Sequence, residues 1–362
     1  MLVPAPRGEL TSALLTVLHE GPQAAAEQYG KLDGAADRIL AGSTDVLRDD
    51  DLQLALFLLY ELHYSGLDGI DPDLEWQPEL IRVRRKLEAA FETALRQAVP
   101  VPDAPSPVAE DVAQALFTLA ADDDGPSVSR FIARHATEDQ LREFLVLRSV
   151  YQLREADPHS WAIPRLAVGR AKAALVEIQA DEYGGGRPER MHSALFARTM
   201  EGLGLDTAYG RYLDRIPALV LASSNAMSLF GLNRRLRGCI AGHLAAFEMT
   251  SSIPNSFYAR GFKRAGYGPE VTFYFDEHVE ADAVHEQIAA RDLAGGLAEA
   301  EPHLLEDILF GAATVLTLDA LQGAEQLGAW KQGRSALRED SPPRGADAQA
   351  LDAAAAAAGV MA

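Results

Sequence analysis

Apolar residues recur along this chain every third or fourth position, the spacing that turns one face of an α-helix toward a core. "DDDLQLALFLLYELHYSGLDG" (49–69) opens with aspartates suited to a helix N-terminus and is apolar almost all round, as a buried helix would be. "ELIRVRRKLEAAFETALRQA" (79–98) follows as an amphipathic helix. Thr137 and Gln140 predict a capping box at the start of "EDQLREFLVLRSVYQLREAD". Pro164 and Pro188 are placed to open "PRLAVGRAKAALVEIQADEY" and "PERMHSALFARTMEGLG". Further helices are expected in "ALVLASSNAMSLFG", "RLRGCIAGHLAAFEMTSS", "TFYFDEHVEADAVHEQIAARDL" and "EPHLLEDILFGAATVLTLDALQG". The fold class is all-α.

Four prolines in "VPVPDAPSPVAED" interrupt this pattern between residues 100 and 107. Proline lacks an amide donor and disfavours helix in the residue before it, so this is the best domain boundary in the chain. The expected division is a helical unit over 1–98, a linker over 99–107 and a larger helical domain over 108–332. The tail over 333–362, with "SPPRGADAQ" and an alanine run, reads as disorder or a frayed helix.

The chain has 362 residues, 48% hydrophobic and 24% charged, with a formal net charge of −20. That charge argues against a nucleic-acid partner, whose binding depends on neutralising phosphates. "RVRRK" (82–86) and "RRLRG" (234–238) are therefore read as solvated helix faces. No apolar run is long enough to span a membrane, the N-terminus does not resemble a secretory signal, and the single Cys239 excludes an internal disulfide. The expectation is a cytoplasmic protein.

Ionisable residues on apolar faces change the picture. His278, Asp282 and His285 stand at i, i+4 and i+7, which an α-helix brings to one side. Glu155 shares a face with Phe144, Leu147 and Tyr151, and Glu182 with Val168, Ala171, Leu175 and Ile178. His192 lies with Leu195, Phe196, Thr199 and Leu203, and Glu248 with Ala241 and Leu244. A buried carboxylate is normally paired, protonated or metal-bound. Any one of these residues alone reads as a salt bridge or a satisfied polar contact. Together, four carboxylates and three imidazoles on five helices are explained by two metal ions within a bundle, with iron or manganese favoured over zinc by the mixed donors. Glu189, three residues before His192, is an alternative to Glu182, although an acid in a first helical turn needs no metal. His63, His135, His159 and His243 are taken as structural. The small residues of "GCIAGHLAA" serve either close helix packing or room for a substrate.

This constellation resembles the haem-oxygenase-like diiron oxidases, the iron-containing redox enzymes. The resemblance covers residues 108–330 in order and is carried by Glu155 in "LREADPHSWAIPRL", Glu182 and His192 in "QADEYGGGRPERMH", Glu248 in "AAFEMTSS" and the final "HVEADAVH". It implies a haem-oxygenase-like helical bundle with an additional N-terminal helical unit, which in some members supports a homodimer. It further implies two Fe(II) ions, O2 as co-substrate, a small-molecule substrate and an external electron donor. Glu155, His192 and His285 would hold one iron, Glu248, His278 and Asp282 the other, with Glu182 between them. Asp157 would replace Glu155 if the preceding helix ended early. N-oxygenation of an amine is favoured, with desaturation or oxidative C–C cleavage of an amino or fatty acid as alternatives. A metal-free cofactor enzyme or ligand-binding module on the same fold, and a helical interaction protein with a chance stripe, are the rivals.

Overall fold

A computed structural model of the chain describes residues 1–339, apart from the side chains of residues 280–283. Among the described residues there is no β-strand. The first four helices are α1 (Glu9–Glu20), α2 (Ala26–Gly42), α3 (Asp50–Glu61) and α4 (Pro78–Ala98). After the proline-rich segment come α5 (Ala109–Ala121), α6 (Val128–Arg134), α7 (Glu138–Gln152) and the single turn α8 (Asp157–Ser160). The next five are α9 (Arg170–Glu182), α10 (His192–Gly202), α11 (Ala218–Leu232), α12 (Arg237–Met249) and α13 (Ser252–Arg264). The last are α14 (Pro269–Gln287), α15 (Gly296–Ala300) and α16 (Leu305–Lys331). The described residues are thus all-α, as expected.

Local chemistry sets several of these boundaries. The Thr137 hydroxyl accepts from the Gln140 amide while the Gln140 side chain accepts from the Thr137 amide, the expected capping box of α7. Pro164 and Pro188, in contrast, each open only a 3₁₀ turn. The helices that matter start later, α9 behind Gly169 and α10 behind Met191. Val168 therefore lies outside α9, 95% exposed, instead of on its inner face. Helix α13 was not foreseen. α14 passes directly into a π-helical stretch, Ile288–Gly295, a wider winding that is rare and often found at functional sites.

Two apolar cores result. The larger runs without interruption from α1, α3 and α4 through α11 and α12 to α16, so the first 98 residues share it with the later helices. The smaller, rich in aromatics, gathers Phe144, Phe196, Phe262, Phe275 and Trp330. Between α12 and α16 the backbones touch: a methyl at Gly242 would strike the Ile308 carbonyl, and one at Gly311 the Cys239 carbonyl. Close packing thus accounts for the small residues of "GCIAGHLAA". The basic clusters are largely engaged with acids, Lys86 with Asp33 and Asp37 at 2.9 and 2.7 Å, Arg85 with Glu88 at 2.9 Å, and Arg237 with Glu301.

Candidate metal centre

Helices α9 and α12 belong to the larger core, α10 and α14 to the smaller, and α7 to both. Their polar residues meet between the two. Glu155, Glu182, His192 and His278 form one buried group, in which one donor atom of each lies within 4.8 Å of every other. Glu182, Glu248 and His285 form a second on the same criterion. Glu182 belongs to both. The two histidines of α14 are exchanged relative to the expected pairing: His278 stands with Glu155 and His192, and His285 with Glu248. Asp282 lies on α14, but its side chain is outside the described residues.

Helix α7 stops at Gln152, so Glu155 reaches the site from a turn. Ala156 beside it has φ of 78°, a left-handed conformation costly for a residue with a Cβ. Gln179 pins this turn, its side-chain amide donating to the Ala156 carbonyl at 2.7 Å. Asp157 is turned away and accepts from the Tyr183 hydroxyl at 2.7 Å. Glu189 is exposed in the 3₁₀ turn before α10 and joins neither group.

The histidines are oriented from behind. His278 Nδ1 lies 2.7 Å from the Tyr274 carbonyl, to which it donates, leaving Nε2 directed at Glu155, 3.6 Å away. His285 Nε2 lies 3.0 Å from Asp181 Oδ2, leaving Nδ1 inward, 3.6 Å from Glu248. The buried Nδ1 atoms of His192 and His285 face carboxylates, Glu182 at 3.0 Å and Glu248 at 3.6 Å, without hydrogen-bond geometry. Buried nitrogens are rarely left in that state. An imidazole held by one nitrogen, with the other lone pair aimed among carboxylates, is how proteins present histidine to a metal.

Electrostatics agree with the geometry. Burial opposes charge on His285, yet Glu248, Asp181 and Glu182 outweigh it and raise its pKa to about 9. Burial likewise pushes Glu182 up, but His192, His278 and His285 overcome this and hold it at about 2. The site attracts positive charge strongly enough to draw protons onto its histidines, and divalent cations answer the same demand.

Two contributors, Tyr274 and Asp181, carried too little sequence signal. Tyr274 donates to Glu155, with its oxygen 2.9 Å from both carboxylate oxygens. It stands four residues before His278, so the stripe could have been extended back to it. Asp181 adjoins Glu182 but nothing in its spacing points to His285. His159 and His243 form a buried Nε2–Nδ1 contact of 3.0 Å beside the site, yet join neither group.

An all-helical bundle enclosing a carboxylate–imidazole centre defines the class. Residues 142–320 match the model of the iron-containing redox enzyme family, and through them the chain belongs to that family. It is also similar to a nitrosourea synthase of Streptomyces achromogenes subsp. streptozoticus, 28% identical over 182 residues. That match takes in 48% of this chain and 38% of the relative's length.

Proposed function

We propose that this protein is a non-haem diiron oxygenase that uses O2 to oxidise a small molecule, with N-oxygenation of an amine as the favoured reaction. The observation that carries this reading is Glu182, common to two buried groups of carboxylate and imidazole donors. Under it, Glu155, Glu182, His192 and His278 would hold one Fe(II), and Glu182, Glu248 and His285 the other, with Asp282 an added ligand on α14. Bound there, the irons supply the electrons and open coordination positions that O2 activation needs.

The chain's own residues do the rest. The Tyr274 carbonyl and Asp181 set which nitrogen of His278 and His285 faces inward. The Tyr274 hydroxyl steadies Glu155 against the turn that carries it. Phe196, edge-on against the Tyr274 ring, presents apolar surface on one side of the centre. His285 would give up its proton on holding a cation. A small-molecule substrate and an external electron donor are the partners this chemistry requires.

The name of the nitrosourea synthase, a product bearing nitrogen–oxygen chemistry, supports N-oxygenation over desaturation or C–C cleavage at the same ligands. The test is anaerobic Fe(II) loading, with iron counted per chain, followed by exposure to O2. Two irons and a transient visible band lost in His278→Ala are expected. Less than one iron per chain would sink the proposal and favour a metal-free module.

A further inference from the structure

A groove of about 1150 Å³ opens beside α7, α13 and α16. A cavity of about 50 Å³ lies against Glu155 and His278. Both have Phe144, Arg148, Gln152, Tyr258 and Asp319 in their walls, so the cavity is the inner end of the groove. A route from solvent to the candidate centre therefore passes between Arg148 of α7 and Asp319 of α16.

Arg148 is built in. Its guanidinium lies over the Phe144 and Tyr258 rings, 5.1 and 5.4 Å from their centroids. It donates to the Tyr258 hydroxyl at 3.2 Å and, with the Gln152 amide turned to suit both, to Gln152 at 3.2 Å. Among the described residues no carboxylate stands within ion-pair distance of it, whereas Arg7 has Asp50 and Arg154 has Glu61. Asp319 shares with it the walls of both the groove and the cavity, and among the described residues the two form no ion pair. A stacked guanidinium with spare donors is suited to a carboxylate. A free carboxylate opposite suits a cationic nitrogen.

We propose that Arg148 and Asp319 form the substrate-selecting site of this protein, and that its ligand is a small amine-bearing carboxylic acid, bound by its carboxylate at Arg148 and its cationic nitrogen at Asp319. The assignment rests on the oxygenase reading for its role, but the binding it describes needs no iron. Phe247 and Tyr258 supply apolar walls for the chain between the two charges.

The test is calorimetric titration of the full-length, metal-free protein with aminocaproate, caproate and hexylamine, matched probes carrying both charges, the anion alone and the cation alone. Aminocaproate should bind most tightly. Arg148→Gln should weaken aminocaproate and caproate by about tenfold or more and leave hexylamine unchanged. Arg148→Lys should retain part of the loss, and Asp319→Asn should abolish the preference for aminocaproate over caproate. Circular dichroism of each variant guards against misfolding, and the exposed position of Asp319 makes its variant the safest. Hexylamine binding as tightly as aminocaproate, unchanged affinities in both variants, or no binding of any probe at millimolar concentration would overturn the assignment. Iron counted on a second portion of each sample after anaerobic Fe(II) loading separates the two proposals. Normal loading without probe binding removes only this site, and probe binding without loading removes only the oxygenase.

Discussion

The Tyr274 hydroxyl lies 2.9 Å from each carboxylate oxygen of Glu155. Glu155 sits on a turn with a left-handed alanine next to it, so this contact is what aims it. Tyr274→Phe should therefore lower Fe(II) affinity by about 10- to 100-fold, as loss of an outer-shell partner does. Anaerobic titration with a competing chelator measures this, and unchanged affinity would deny Tyr274 the role.

Glu182 is the residue on which both donor groups depend. Glu182→Gln should reduce bound iron further than His278→Ala or His285→Ala, each of which leaves one group intact. Iron per chain after anaerobic loading and desalting gives the ranking. Equal losses in all three would mean that the groups do not fill independently.

The buried His159–His243 pair sets a pH response. Burial lowers the pKa of His159 to about 4 and that of His243 well below its usual value. Between about pH 6.5 and 4 the unfolded chain binds protons at these positions that the folded chain refuses, so stability rises with pH and is lost as pH falls. Urea unfolding over that window should show the loss. His159→Gln with His243→Gln should flatten its slope.

Helices α12 and α16 leave no space for a methyl group at Gly242 or Gly311. Gly242→Ala and Gly311→Ala should each destabilise the fold by about 1–3 kcal/mol, the usual result of overpacking. The midpoint of denaturant unfolding reads the effect. Gly328→Ala on the same helix, where a methyl meets nothing, is the control and should not be destabilising.

Arg154 and Glu61 form a buried ion pair between the Glu155 turn and α3, with Tyr209 donating to Glu61 at 3.1 Å. Glu61→Ala leaves the guanidinium without its counter-charge and should cost about 3–5 kcal/mol. Replacing Arg154 together with Glu61 by apolar residues should recover part of that loss. A double-mutant cycle would show whether it does.

The helical class, the capping box at Thr137 and the inward positions of Glu182, His192, Glu248, His278 and His285 were legible in the sequence. They are consequences of periodicity, which is local: a residue's face follows from its distance along one helix. Glu155 was found by the same reasoning for an imperfect cause, since its helix ends before it and a pinned turn delivers it instead. The starts of α9 and α10 depart from the expectation because proline permits a helix start without requiring one, and here it begins a 3₁₀ turn.

Sequence by itself determined that polar groups lie on the inner faces of several helices, because burial of an amphipathic face is written into its spacing. Only the tertiary structure decided which of them meet. Pairing His278 with Glu155 and His192, and His285 with Glu248, depends on how α14 crosses α10 and α12. The groove past Arg148 is set by the packing of α7, α13 and α16, and the burial of Glu182, with Glu189 left exposed, by where α9 ends and α10 begins. Contacts between distant segments are set by packing of the whole core, and no local pattern records them.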